Sequence, residues 1–262
     1  MVPIARRNLL TEKGRLVMSV AGVAFAVLLI LIVVSLYRGW SEASWLFSEL
    51  PGELWVSQEG TSDPFRSTSF LPAEARSTLE QIPGVALVMP VYARRVAVGH
   101  GGARLNVFFM SLAAPAGTAL PPNVRERFFP APGHVSIDST FAKEANVGVG
   151  DTVRILRRGL TVEHVNPGGN PIFELAFLDA SDATELLAVD DFVSFFLLSL
   201  RPGASVDAVS AAAAAAVPRA ETHTSSQYAD ATGEVVNQGF LPVVGALVGI
   251  GFVIGGAVKL EE

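Results

Sequence analysis

One uncharged stretch, residues 16–36, limits what this chain can fold into more than any other part of its sequence. A helix rises 1.5 Å per residue, so a stretch of this length covers roughly 30 Å, the thickness of the hydrocarbon core of a bilayer. Lipid offers no hydrogen-bond partner to backbone amides, and a helix is the single-segment structure that satisfies all of them internally. The sequence therefore predicts a transmembrane helix at residues 16–36.

The charges on either side of this stretch predict its orientation, because basic residues close to a span stay in the cytoplasm. Residues 1–15 carry one acid and four basic residues, the candidate membrane-orienting side chains Arg6, Arg7, Lys13 and Arg15. Residues 38–53 carry one arginine and three glutamates. We therefore expect 1–15 to be a basic cytoplasmic segment and the chain from about residue 38 onward to be exported.

A cleavable signal peptide is the alternative to an uncleaved span. The apolar region of such a peptide is usually about 7 to 15 residues long and ends at a cleavage site with small residues. Here the apolar run is longer, and only residues 41–43 (Ser-Glu-Ala) faintly resemble such a site. The sequence favours the uncleaved membrane anchor.

A second uncharged stretch, residues 240–258, is also long enough to span a membrane, and Lys259 follows it where a cytoplasmic end favours a cation. Glycines four positions apart let neighbouring membrane helices approach closely. The candidate helix-packing glycines are Gly245 with Gly249 and Gly251 with Gly255. The predicted topology is in, out, in. Because the sequence stops at Glu262, soon after this span, we expect a fragment, roughly the N-terminal half of a longer protein.

The exported region, residues 39–239, is acidic. It has 13 Lys and Arg against 22 Asp and Glu, a net charge of about −9, which argues against a nucleic-acid partner. The chain has no cysteine, and its four histidines are scattered along the sequence. The sequence therefore predicts no metal site and no cofactor.

The two ends of the exported region share one pattern of strand, helix, proline and strand. The predicted elements are strand 53–58, helix 72–82 with Pro72 at its first position, strands 85–98 and 104–111, strand 191–200, a helix capped by Ser205, and strand 220–224. Two β-α-β units of this kind form one α+β layer with both helices on one face of a shared sheet. We assign this layer to residues 39–111 and 191–239.

The intervening residues 112–190 are predicted to form an inserted, mainly-β lobe. Proline-rich segments precede its first strand near His134. The further predicted elements are a short helix at 138–146 and strands at 152–156, 160–165 and 173–178.

Several residue patterns that resemble chemical sites are better explained as structure. Ser139 and Lys143 are one residue too far apart for a serine β-lactamase motif, so a helix N-terminus is favoured. Solvated loop acids are favoured over acid–base or calcium ligands for Asp179, Asp182, Glu185, Asp190 and Asp191. Core packing is favoured over a ligand pocket for Phe192, Phe195 and Phe196. The sequence has no G-x-x-x-x-G-K-[ST] phosphate loop, and we expect no enzyme activity from this chain.

Two stretches carry a resemblance to a known family. Residues 5–16 (Ala-Arg-Arg-Asn-Leu-Leu-Thr-Glu-Lys-Gly-Arg-Leu) with 21–27 (Ala-Gly-Val-Ala-Phe-Ala-Val) resemble the start of MacB/FtsX-type ABC transporter permeases, the DevC-like branch in particular. Residues 137–153, with a short helix and then Gly-Asp, are similar to the periplasmic core domains of that family. The resemblance implies four spans per subunit, of which two are present here. It also implies a porter-like lobe built from the two β-α-β units, with a second lobe inserted between them.

The resemblance also implies a function and partners. A permease of this type works as a homo- or heterodimer in the bacterial cytoplasmic membrane, with a separate ABC ATPase subunit and in some cases a periplasmic adaptor. ATP hydrolysis then drives motion of the exported domain, for export or for mechanotransmission. The span–domain–span layout leaves a second possibility, the extracytoplasmic sensor half of a membrane receptor, and a third, a membrane-anchored enzyme, which is disfavoured because the sequence shows no catalytic constellation.

Overall fold

A long helix, α1 (Lys13–Ala43), contains the first predicted span. The structure, a computed structural model, describes residues 13–43, 45–62, 64–65, 67–169, 173–188, 191–231, 242 and 245–246. In this part of the chain, no helix meets the combined requirement of length and apolar character for crossing a membrane. The second predicted span, 240–258, falls outside the described residues except at 242 and 245–246.

The chain divides into two units, Met1–Trp40 with Gly233–Glu262 and Ser41–Thr232. The second unit has six short helices with printed bounds: α2 (Trp45–Glu49), α3 (Ala75–Glu80), α4 (Pro122–Phe128), α5 (Ser139–Ala145), α6 (Ala180–Leu187) and α7 (Val206–Ala216). Residues 225–231 are also helical. Its strands are β1 (Leu54–Gln58), β2 (Leu71–Pro72), β3 (Val85–His100), β4 (Ala103–Leu112), β5 (His134–Asp138), β6 (Thr152–Ile155), β7 (Arg158–Asn166), β8 (Glu174–Leu178), β9 (Phe192–Val193), β10 (Phe195–Leu200) and β11 (Ala220–Thr224).

Nine of the strands form one mixed sheet in the order β11-β1-β10-β3-β4-β8-β5-β7-β6, and β2 pairs with β9 separately. At one end of the sheet, β1 and β3 are each antiparallel to β10, which lies between them, so they are parallel to each other. In the same way β10 and β11 lie on either side of β1. The two β-α-β units are therefore interleaved in one sheet, which confirms the predicted α+β layer.

The helices of both units cover the same face of this part of the sheet. Leu79 of α3 and Val209 and Ala213 of α7 pack with Val56 and Leu198 of the strands in one apolar cluster. The opposite face is covered by a second cluster rich in aromatic side chains, to which α2, residues 64–65 and the helical residues 225–231 contribute. Each strand therefore has one face against helices and the other against aromatic rings.

The insertion does not form a sheet of its own. Its strand β8 pairs in parallel with β4, and β5, β7 and β6 follow outward from β8 in the same sheet. Helices α5 and α6 pack on this end through a third apolar cluster that includes Phe141 and Ala183. The boundaries that we drew at residues 112 and 190 thus cross a continuous sheet, and the division into two lobes stays a prediction.

Local predictions are confirmed in most elements and wrong in two. Pro72 does not begin a helix, because it lies in β2 opposite Phe192 and α3 starts three residues later. The predicted strand 191–200 is two strands, β9 and β10, separated by Ser194. The Ser194 hydroxyl accepts a hydrogen bond from the Ala93 amide (3.0 Å) and donates one to the Ala93 carbonyl (3.1 Å). A side chain thus replaces the backbone ladder at this point.

Candidate functional site at the paired chain ends

The candidate functional site is the place where the chain enters and leaves the unit Ser41–Thr232. Helix α2 follows α1 along the chain, and β1 begins five residues after α2 ends. Strand β11, which precedes the helical residues 225–231, pairs with β1 in a register that sets Leu54 opposite Thr224. Because these two strands are neighbours, the first and last elements of the unit lie side by side. We call this region the joint and define it by Phe47, Gly52, Trp55, Ser225 and Tyr228.

Three aromatic rings form the centre of the joint. Phe47 comes from α2, Trp55 from β1 and Tyr228 from the last helical segment. Their ring centroids are 5.8 Å (Phe47–Trp55), 5.9 Å (Trp55–Tyr228) and 5.8 Å (Phe47–Tyr228) apart, so each ring contacts the other two. All three side chains are fully buried. Such pairs are worth about 0.5–1.5 kcal/mol each beyond the area that they bury.

Hydrogen bonds hold the same segments together. The Trp55 indole Nε1 donates to the Ser225 hydroxyl (3.1 Å), which in turn donates to the Gly52 carbonyl (2.9 Å). The Ser225 amide donates to the Glu53 carbonyl (3.0 Å). The Tyr228 hydroxyl donates to Ser57 (3.0 Å). The chain leaving the unit is therefore bonded to the chain that has just entered it.

Gly52 is required by the close packing at the joint. A Cβ atom on Gly52 would lie 2.5 Å from Leu197 Cγ and 3.1 Å from the Leu198 carbonyl oxygen. Leu197 is fully buried in the same cluster as the three rings, so it has little room to move. Any larger residue at position 52 would push the chain away from β10.

The aromatic contacts continue from the joint into the rest of the sheet. Phe47 contacts Phe65 (5.3 Å), which contacts both Phe108 of β4 and Phe173 before β8, each at 5.0 Å. Trp55 contacts Phe195 of β10 at 5.8 Å. Rings packed at this density resist separation and sliding, so the joint is mechanically continuous with both halves of the sheet.

A polar connection runs from α2 to the insertion. Glu49 forms an ion pair with Arg127 of α4, whose Nε also donates to the Asn166 side-chain oxygen of β7 (3.2 Å). Asn166 is fully buried and donates to the Ser136 hydroxyl of β5 (3.0 Å). The Arg127 side chain is only 15% exposed, so this connection is shielded from solvent more than a surface ion pair is.

One carboxylate beside the joint has a shifted pKa. Burial on its own would raise the pKa of Glu221, but hydrogen bonds from His223 and from the backbone amides of Gly60 and Thr61 outweigh it and lower the pKa. His223 lies 3.2 Å from the Glu221 carboxylate and stacks on the Tyr228 ring with centroids 4.7 Å apart. The Glu221 carboxylate is therefore a structural acceptor that fixes the turn near residue 60.

The predicted site residues fall mostly outside the described part of the chain. Lys13 and Arg15 lie in the first turn of α1, and Gly245 is helical. A Cβ on Gly245 would meet no other atom within 4 Å. The others, Arg6, Arg7, Lys259, Gly249, Gly251 and Gly255, lie outside the described residues. Their membrane-orienting and helix-packing roles stay predictions.

The structural explanations of the other motifs are confirmed in part. Asp138 caps the N-terminus of α5, which is where Ser139 and Lys143 lie. Two predictions are wrong: Asp182 is fully buried against Arg158 instead of lying in a solvated loop, and Phe192 is 49% exposed instead of lying in the core. No group of acids and histidines in the described ranges could hold a metal ion.

Sequence reasoning missed the joint. Its rings lie far apart in the chain, and each one taken alone is an ordinary buried aromatic residue. The usable signal was their position, because Phe47 and Tyr228 each lie within about a dozen residues of a predicted boundary of the exported region. Only the pairing of β1 with β11 brings them together.

Comparisons with known proteins agree with this architecture. The family model described as MacB-like periplasmic core domain matches residues 16–216. No curated protein matches the chain.

Two solved structures are similar to the chain at low sequence identity. One is the periplasmic region of MacB from Actinobacillus actinomycetemcomitans, 11% identical, with a TM-score of 0.47 over 68% of this chain and 92% of that one. The other is the extracellular domain of the noncanonic ABC-type transporter YknZ from Gram-positive bacteria, 10% identical, with a TM-score of 0.47 over 66% of this chain and 98% of that one.

Proposed function

The chain belongs to the family of MacB-like periplasmic core domains, and from this premise we propose that it is a membrane permease subunit of an ABC transporter. In this proposal residues 16–36 and 240–258 cross the bacterial cytoplasmic membrane, with the N-terminus in the cytoplasm and Ser41–Thr232 outside. A separate ATPase subunit supplies ATP hydrolysis. The exported domain moves in response, for export of a substrate or for transmission of force.

The surface of α1 supports the membrane part of the proposal. Ten large apolar side chains between Val17 and Val34 are 43–66% exposed. They include the adjacent pair Leu31 and Ile32, which cannot lie on the same face of a helix, so the apolar surface goes around the helix. A helix that is apolar on all sides is found buried in a large protein or in a membrane. Lipid would cover this surface.

The joint is the observation that carries the mechanical part. A force applied through α1 reaches the unit at α2, where Phe47 is packed between Trp55 and Tyr228. Because the same rings hold the departing chain, both connections to the membrane would act on one rigid cluster. The ion pair of Glu49 with Arg127 passes the same displacement to the insertion. This arrangement suits a domain that moves as a body.

The remaining partners follow from the family. We propose a homo- or heterodimer of permease subunits, a lipid bilayer around the spans, and a periplasmic adaptor as a further partner outside the membrane. The acidic charge of residues 39–239 argues against nucleic acid. The chain has no phosphate loop of its own, so the ATPase has to be a separate chain.

A single-cysteine spin label can test the proposal, because the chain has no native cysteine. Val149 is 67% exposed, and Val149→Cys places a label on the insertion. The full chain, purified from its native membrane with its associated ATPase, is reconstituted in lipid nanodiscs. We expect the distance between the labels of two subunits to change when a non-hydrolysable ATP analogue is added. An absence of any associated ATPase would instead support the receptor.

A weakened joint provides the second arm of this test. Phe47→Ala removes one of the three rings and should reduce the label response while ATP hydrolysis continues. Phe141→Ala is the matched control, because it removes a fully buried ring of the same size from the cluster under α5, away from the joint. The mechanical role of the joint is contradicted if both variants reduce the response equally.

A further inference from the structure

A cavity of about 360 Å³ opens beside β3 at the point where β10 stops pairing with it. Strand β10 accompanies β3 from Val85 to Val91, whereas β3 continues to His100 paired only with β4 on its other side. The cavity occupies the resulting notch at residues 92–95. Residues 67–70 and β9 close its sides. Its volume lies within the range of small-molecule sites, about 300–1,000 Å³.

The walls of this notch are largely aromatic. The rings that line it are Phe65, Phe70, Tyr92, Phe108, Phe192 and Phe195. Two of them, Phe70 and Phe192, lie at the rim with 57% and 49% of their surfaces exposed. Large apolar side chains at such exposure are costly in water unless something covers them. The rings offer flat apolar surface to a small ligand.

Two arginines supply the only charge in the lining. The described lining residues include Arg94 and Arg95, both exposed, and no acid. Adjacent residues of a strand point to opposite faces, so the two side chains leave β3 on either side of the notch. Arg95 is oriented by donating to the Phe65 carbonyl (2.9 Å) and by lying 4.9 Å from the centre of the Phe173 ring. In a region with a net charge of about −9, this positive notch is unusual.

We propose that this notch binds a compact organic anion, a molecule with an aromatic or otherwise apolar body and one carboxylate, phosphate or sulfonate group. The rings cover the apolar body, and the anionic group lies between the guanidinium groups of Arg94 and Arg95. Guanidinium groups bind such anions with two parallel hydrogen bonds and stack on flat ligands. This binding site goes beyond the proposed permease function and does not depend on it.

The probe for the test is 2-naphthoate, whose two fused rings and single carboxylate match the notch. Binding is measured by isothermal titration calorimetry on the full chain in lipid nanodiscs, with empty nanodiscs as the blank. We expect a Kd of about 1 mM or tighter, the range that a ligand of this size reaches. 2-Naphthamide has nearly the same shape without the charge and should bind at least several-fold more weakly. Equal binding of the amide, or no binding of either molecule, overturns the proposal.

Variants locate the site. Arg94→Gln should weaken 2-naphthoate roughly 3- to 10-fold, as expected for loss of one hydrogen bond to a charged group. Arg94→Lys, which keeps the charge, should recover part of the affinity. The matched control is Arg104→Gln, an exposed arginine of the same hairpin outside the lining. Phe192→Ala should also weaken binding. Equal effects of Arg94→Gln and Arg104→Gln would overturn the site assignment.

Discussion

The two halves of the large sheet are held together by different kinds of interaction. Around the interleaved β-α-β units, the fully buried polar residues carry hydroxyl groups: Ser57, Thr61 and Ser69. Around the insertion, carboxylates and an amide are buried: Asp138, Asn166, Glu174 and Asp182. A hydroxyl is satisfied by one nearby partner, whereas a buried carboxylate needs several donors or an opposite charge. The first half is therefore specified by packing and the second by directional bonds.

Buried carboxylates of the insertion have such partners in the structure. Asp182 lies 2.8 Å from Arg158 and accepts from the Gly133 amide (2.6 Å). Asp138 accepts from the amides of Phe141 (2.7 Å) and Leu175 (3.0 Å), which ties α5 to β8. The joint, by contrast, depends on the contact area of its rings. The following substitutions test this difference, from the largest expected effect to the smallest.

Trp55→Ala should have the largest effect, because it empties the centre of the joint. Removal of a buried aromatic ring typically lowers the free energy of unfolding by about 3–5 kcal/mol. Trp55→Phe keeps a ring but loses the hydrogen bond to Ser225, and should cost less than half as much. Urea denaturation followed by circular dichroism measures both. A loss below about 1 kcal/mol for Trp55→Ala would contradict the packing account.

Asp138→Ala should have the next largest effect, about 2–3 kcal/mol, because two buried amides lose their acceptor. Asp138→Asn is the matched control, since it keeps one acceptor oxygen and should cost less. The same denaturation measurement distinguishes them. If the alanine and asparagine variants are equally stable, directional bonding at this position does not specify the insertion.

Glu174→Gln should have the smallest effect and the opposite sign. Burial raises the pKa of Glu174, and the neighbouring carboxylate of Glu144 raises it further, more than the hydrogen bonds from backbone amides lower it. An acid whose pKa is raised by folding loses stability as the pH rises through that pKa, because the unfolded chain ionises more easily. Glutamine cannot ionise, so the variant should match the native chain near pH 4 and melt about 2–4 °C higher at pH 7. A lower Tm at pH 7 would show that the charge is stabilising.

The sequence predicted the elements whose signals are local. Ser205 caps α7 through the Ala208 amide, and Asp138 and Asn146 delimit α5 as capping preferences suggest. The pattern failed at Pro72 because the partner that holds it in β2 is Phe192, more than a hundred residues away. It also missed α4 and α6, which lie in a proline-rich stretch and in an acidic stretch that we interpreted as loops.

Long-range pairing explains what sequence reasoning could not reach. The insertion joins the main sheet through the parallel pair β4 and β8, whose strands are separated by about sixty residues of other structure. No local pattern in Val107 or Glu174 specifies that register. The joint and the notch at Arg94 depend on the same kind of information, because each is assembled from segments that only the finished sheet brings together.

The most direct test of the account is the side of the membrane on which the unit lies. Single cysteines at Val149 and at Ala5 are treated with a membrane-impermeant maleimide on intact cells and again after permeabilisation. The account predicts labelling of Val149→Cys on intact cells, once the reagent has passed any outer membrane, and labelling of Ala5→Cys only after the cytoplasmic membrane is opened. Protection of Val149→Cys until that membrane is opened would contradict the exported domain on which the proposed permease depends.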